Sequence, residues 1–108
     1  MNFKPNVIVI FNPTILRMME AFEQACQEIV SMTYVPTVTS GLEGTHSSTM
    51  SGHFFARSID FRSKDVPFEL RMPLKNRAQE LLGSDYLVLL EDNHYHIQRQ
   101  KESFVCAT

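Results

Sequence analysis

Tyr86-Leu87-Val88-Leu89-Leu90-Glu91-Asp92-Asn93-His94-Tyr95-His96-Ile97-Gln98 carries two different patterns on either side of a short polar break. Residues 86–90 form an unbroken apolar run of strand length. Residues 94–98 alternate, with Tyr95 and Ile97 on one side and His94, His96 and Gln98 on the other. Asp92-Asn93 between the two is a turn or bulge signal. Side chains of a strand repeat every two residues. The alternation therefore predicts a strand whose Tyr95 and Ile97 back onto a core while both imidazoles share the opposite face, about 6 to 7 Å apart at the backbone.

Working outward, residues 55–61 alternate in the same way. Phe55, Ile59 and Phe61 fall on one face, and the small or acidic Ala56, Ser58 and Asp60 on the other. Residues 34–39 read as a short strand, with Pro36 placing it at an edge or a strand start. The β-branched run at 7–11 predicts a strand or an extended arm that leads into a helix. That helix opens on Asn12 as N-cap and Pro13 as first residue. Its apolar positions Ile15, Met18, Met19, Phe22, Cys26, Ile29 and Val30 recur at steps of three and four, and the pattern ends near Met32. The methionines lie on the apolar stripe and read as core filler. Residues 62–71 are charged and irregular. A second, shorter helix is predicted from Pro73 through Leu74, Ala78, Leu81 and Leu82, with Gly83 past its end. Residues 40–52 have no period, a long connection for so small a domain and of the kind that is functional or disordered. The sum is an α+β domain, a small antiparallel sheet with two helices on one face, spanning residues 1–108 as one unit with 1–6 and 100–108 loose.

Composition agrees with a folded single domain. The chain has 108 residues, 44% hydrophobic and 20% charged. Ten Lys and Arg against twelve Asp and Glu give a net charge of -2, with no basic block to displace counterions from a phosphate backbone, so nucleic acid is not an expected partner. The longest apolar run is too short to cross a bilayer, and the N-terminus lacks the features of a secretory signal, which predicts synthesis in the cytoplasm. Cys26 and Cys106 lie outside any C-x-x-C pattern. Two free thiols are expected, and one bridge tethering the tail is the alternative.

The residues able to carry chemistry fall in two clusters. His94 and His96 form an H-x-H pair on a strand, a common way to offer nitrogen ligands to zinc, but taken alone more often a pair of solvated surface histidines. Asp60 lies on the small-residue face of its strand, with His53 seven positions earlier. That odd separation brings the two together only if His53 sits in the loop before the strand, which Ser51-Gly52 permits, or if a bulge intervenes. An exposed strand face would also account for Asp60.

Four segments together resemble a known family. Thr39-Ser40-Gly41, Glu43-Gly44-Thr45-His46-Ser47, Ser51-Gly52-His53-Phe54-Phe55-Ala56-Arg57-Ser58-Ile59-Asp60 and Glu91-Asp92-Asn93-His94-Tyr95-His96 are similar to the pattern of zinc D-alanyl-D-alanine peptidases and related phage endolysins. The wider group includes lysostaphin-type peptidases and the hedgehog signalling domain. Its signature is S-x-H-x-x-G-x-A-x-D, then an acidic residue followed by H-x-H or a single histidine. The resemblance covers about residues 33–100. Ala56 and Ser58 stand where the family has Gly and Ala, and both are small. Leu42-Glu43 stands where many relatives have an arginine that grips a substrate carboxylate. That leaves a preference for a free C-terminal carboxylate unsupported unless Arg57, Arg62 or Arg71 substitutes.

The resemblance implies a zinc cleft on the sheet face opposite the helices. Zn2+ would be held there by His53, Asp60 and one histidine of the late pair, leaving an open coordination position. His96 is taken as that ligand, with His94 beside the substrate oxyanion. The single-histidine register, with His94 as ligand, is the alternative. Glu91 is implied as the general base. Ser51 is a candidate support of the metal shell, and His46 reads as a loop histidine outside the ligand set. The implied activity is hydrolysis of a peptide bond in bacterial peptidoglycan stem peptides or cross-links, as a carboxypeptidase or endolysin of phage type. Such an enzyme would act at the cell wall as a monomer, with no membrane partner. The alternative is a non-catalytic zinc-binding module of the hedgehog-like fold.

Overall fold

A computed structural model describes residues 1–41 and 57–100. In chain order the elements are β1 (Asn2–Phe3), α1 (Pro13–Ile29), β2 (Thr37–Ser40), β3 (Ser58–Arg62), α2 (Phe68–Leu82), β4 (Tyr86–Leu90) and β5 (His94–Arg99). The strands form one sheet in the order β1-β2-β3-β5-β4. The β2/β3, β3/β5 and β5/β4 pairs are antiparallel, as expected, but β1 runs parallel to β2, so the sheet is mixed. Residues expected to be loose are therefore tied down. Asn2 donates to Pro36 O at 2.9 Å and Lys4 to Val38 O at 2.9 Å. A parallel neighbour needs a crossover, and α1 supplies it. The run at 7–11 takes the extended-arm alternative and joins no strand. It passes directly over Gly41, where a Cβ would lie 2.5 Å from Ile8 O, so only glycine fits beneath the arm.

The start of α1 follows its sequence signal. Asn12 Oδ1 accepts the Ile15 N–H at 2.8 Å, and Pro13 occupies the first turn, where no amide hydrogen is needed. The helix ends at Ile29, short of Met32, and buries Ile15, Met18, Ala21, Phe22, Ala25 and Cys26. The expected start of α2 is corrected by five residues. The helix begins at Phe68 behind Pro67, and Pro73 lies inside it. Pro67 takes the boundary position, and Glu69 adds a carboxylate to the positive end of the helix. Pro73 removes only the bond to the Glu69 carbonyl four residues back, a loss close to the solvent-exposed first turn. Gly83, at φ 84°, closes the helix in a conformation that side chains disfavour.

Both helices cover the sheet face made by Val38, Ile59, Phe61, Val88, Tyr95 and Ile97, all fully buried. Phe22 of α1 stacks on Phe61 at 4.2 Å between ring centroids and meets Tyr95 at 5.1 Å. The Tyr95 hydroxyl reaches Arg71 O at 2.9 Å, so its polar end is satisfied. Cys26 is buried and free, and burial pushes its thiol well up from the usual range, which keeps it protonated and unreactive. Cys106 lies outside the described residues, as do residues 101–108.

β4 is an outer strand of the sheet, and its free side is occupied by one side chain. Gln79 of α2 donates to Gly83 O at 3.0 Å and Tyr86 O at 2.9 Å, and its Oε1 accepts the Val88 N–H at 2.9 Å. Among the described residues no helix is long and apolar enough to cross a membrane.

Candidate functional site

The pairing of β3 with β5 decides which side chains meet. Ser58 lies opposite Gln98, Asp60 opposite His96 and Arg62 opposite His94. Ile59, Phe61, Tyr95 and Ile97, the residues between, are buried under the helices. By the two-residue period, Asp60, Arg62, His94, His96 and Gln98 therefore share the face turned away from them. Asp60, from one of the two sequence clusters, is thus a neighbour of His94 and His96, which form the other.

Asp60 Oδ1 lies 2.8 Å from His96 Nδ1, and the other ring nitrogen lies 2.8 Å from Gln98 Oε1. With an oxygen acceptor at each nitrogen, the imidazolium form satisfies both contacts. The hydrogen bond to Asp60 raises the His96 pKa above its ordinary value, against the opposing effect of partial burial. His94 is held differently. Its Nδ1 bonds Asn93 Oδ1 at 2.8 Å, and its Nε2 lies between two carboxylates, 3.8 Å from Asp60 Oδ2 and 3.7 Å from Glu91 Oε1. Glu91 reaches this position because the hairpin closes on it: its N–H donates to His94 O at 2.8 Å, and Asp92-Asn93 makes the turn. Its side chain is 49% exposed, half open to water.

The structure therefore brings together Asp60, His96, His94 and Glu91. His53, the remaining metal ligand implied by the resemblance, lies outside the described residues, as do Ser51, His46, Phe55 and Ala56. Among the described residues no three His, Cys, Asp or Glu side chains form a group able to hold a metal ion. The donors that do meet suit zinc in kind. One carboxylate and one imidazole are in contact, with no thiolate beside them, and a second imidazole from His53 would complete a three-ligand set with an open position.

Next to this pair is a polar hollow of about 250 Å³. Asp60, Arg62 and His94 line it from β3 and β5. Lys4, Thr39, Lys64 and Asn93 line it from the neighbouring segments. Arg62, assigned by the sequence pattern to the irregular segment 62–71, instead ends β3, and its two-residue spacing to Asp60 puts it on the same face. Lys4 was not legible in the sequence, because only the parallel β1/β2 pairing carries the N-terminus to this end of the sheet. Comparison with protein-family models, curated proteins and solved structures finds no match.

Proposed function

We propose that the chain is a zinc-dependent peptidase acting on peptides of bacterial peptidoglycan. The observation that supports this reading most is the β3/β5 register. It sets Asp60 against His96 on the face opposite the helices, with His94 and Glu91 beside them, and these are four of the residues to which the sequence resemblance assigns roles. Asp60 and His96 would hold the metal together with His53. Zinc, when bound, polarises a peptide carbonyl and makes water acidic at neutral pH. Glu91 is the base: a carboxylate half open to water and 3.7 Å from His94 can take a proton from the attacking water and return it to the leaving amine. His94, fixed by Asn93 on one nitrogen, presents the other toward the carboxylates and is placed to stabilise charge developing on the carbonyl oxygen.

The test has two readouts. Elemental analysis of protein purified without added metal or chelator should find one zinc per chain, and purified cell wall should release peptides on incubation with it. A protein that neither contains zinc nor binds it on titration overturns the reading. Zinc binding without hydrolysis would identify a non-catalytic zinc module instead.

A further inference from the structure

Where the first turns of α2 face the turn between β4 and β5, a groove of about 470 Å³ opens, with Phe68, Met72 and Leu90 as its apolar part. Phe68 and Met72 are four residues apart and so share one side of the helix. They are 80% and 51% exposed, in a domain that buries Phe22 and Phe61 completely. A large apolar side chain left alone in water is ordinary, but two lining one concavity mark a surface suited to contact with another molecule. Aromatic and methionine side chains are enriched where proteins meet.

The rim decides the chemistry of the partner. Glu69, Glu91 and Asp92 stand there with Arg71, three carboxylates and one guanidinium, a local charge of -2 equal to that of the whole chain. Arg71 is committed to the backbone: its Nε donates to Val66 O at 2.8 Å and a terminal nitrogen donates to Lys64 O at 3.3 Å. Among the described residues no cation pairs with Glu69 or Asp92, and Glu91 has only His94, at 3.7 Å. A separate feature points the same way. Pro73 has no amide hydrogen, so the Glu69 carbonyl lacks the donor that an uninterrupted helix would give it. We propose that this groove docks a basic amphipathic segment of a partner protein, whose lysines or arginines meet Glu69 and Asp92 while an apolar side chain lies against Phe68 and Met72. Lysine suits it in particular, since its aliphatic stem can lie along apolar surface with the ammonium at the rim. Methionine adapts its shape to what covers it. The groove requires nothing of the peptidase reading, which shares only Glu91 with it.

The full-length chain is titrated with acetyl-Leu-Lys-Leu-Lys amide and with its glutamine and glutamate counterparts, and backbone amide shifts are followed in 1H–15N spectra. The lysine peptide should shift Phe68, Met72 and Asp92 and bind at least about threefold more tightly than the glutamine peptide, the scale of two exposed ion pairs, with the glutamate peptide weakest. Raising the salt to about 0.5 M should erase the preference. Glu69→Gln with Asp92→Asn should remove it at low salt as well. Phe68→Ser with Met72→Ser, both at exposed positions, should weaken the lysine and glutamine peptides alike, and thermal melting checks that each variant is folded. Equal binding of the three peptides, no binding, shifts confined to other residues, or affinity undiminished in the Phe68/Met72 variant overturns the docking surface. So does equally tight binding of Nα-acetyl-lysine amide, which would make the groove a pocket for one side chain. Groove resonances that move on dilution of the protein alone overturn it too, since the occupant would then be a second copy. Zinc content and release of wall peptides are not read in these titrations, so either claim can fail while the other stands.

Discussion

Asp60→Asn isolates the interaction at the centre of the site. The carboxylate is 2.8 Å from His96 Nδ1, and the two side chains are 22% and 26% exposed. A hydrogen bond assisted by charge contributes about 1.5–3 kcal/mol, and partial access to water takes the expected value to the lower end of that span or just below it, about 1–2 kcal/mol. For a domain of this size the loss lowers Tm by about 5–10 °C. Because Asp60 raises the His96 pKa, the native state binds more protons than the unfolded chain in the interval above the ordinary histidine value of 6.5. Stability from the pair is therefore fully present below that value and is lost as pH rises through the native one. Thermal unfolding of wild type and Asp60→Asn, both in chelator, should differ most near pH 5.5 and converge toward pH 9. The His96 ring resonance should titrate above its ordinary range only in the wild type. Parallel stability profiles for the two proteins across that range would refute the charged pair, whatever the size of the offset between them.

The other expectations concern the metal, the base and the core. His96→Ala should abolish zinc binding, while His94→Ala keeps most of the metal and slows turnover; metal analysis showing the reverse would make His94 the ligand. Glu91→Gln should fold and hold zinc normally but lose at least about a hundredfold in rate on purified wall peptide, and near wild-type turnover would assign water activation to another group. Phe22→Ala removes a fully buried ring stacked on Phe61 and should lower unfolding free energy by about 3–5 kcal/mol in urea titrations, with a smaller loss if the helices close over the space.

How much of this was legible in the sequence depended on how local the cause was. The alternation of His94, Tyr95, His96 and Ile97 is a property of one strand, and it placed the imidazoles on the open face correctly. The same holds for Ile59, Asp60 and Phe61, and for Asn12 as the cap of α1. The start of α2 was misread because two prolines compete for it, and Pro67 takes the boundary while Pro73 is accommodated one turn further in. The pairing of Asn2–Phe3 with β2 left almost no local signal, since two residues carry no period, and Lys4 could not be placed without it. Glu91 falls between these cases. Strand parity alone did not bring it to the histidines, but the turn at Asp92-Asn93 did.

Gln79 gives the sheet an end. Its amide offers the outer side of β4 one donor and one acceptor, as a further strand would, from a helix that cannot itself extend the sheet. A second molecule, or a partly unfolded copy, that approaches Tyr86–Leu90 finds the Tyr86 carbonyl and the Val88 amide hydrogen already taken. Glutamate at this position would keep the acceptor and lose the donor, and leucine would lose both. Position 79 therefore bears on how copies of the protein meet: its replacement would be felt first as fibrils or precipitate at high concentration, with the Asp60–His96 pair on the open face of the sheet untouched.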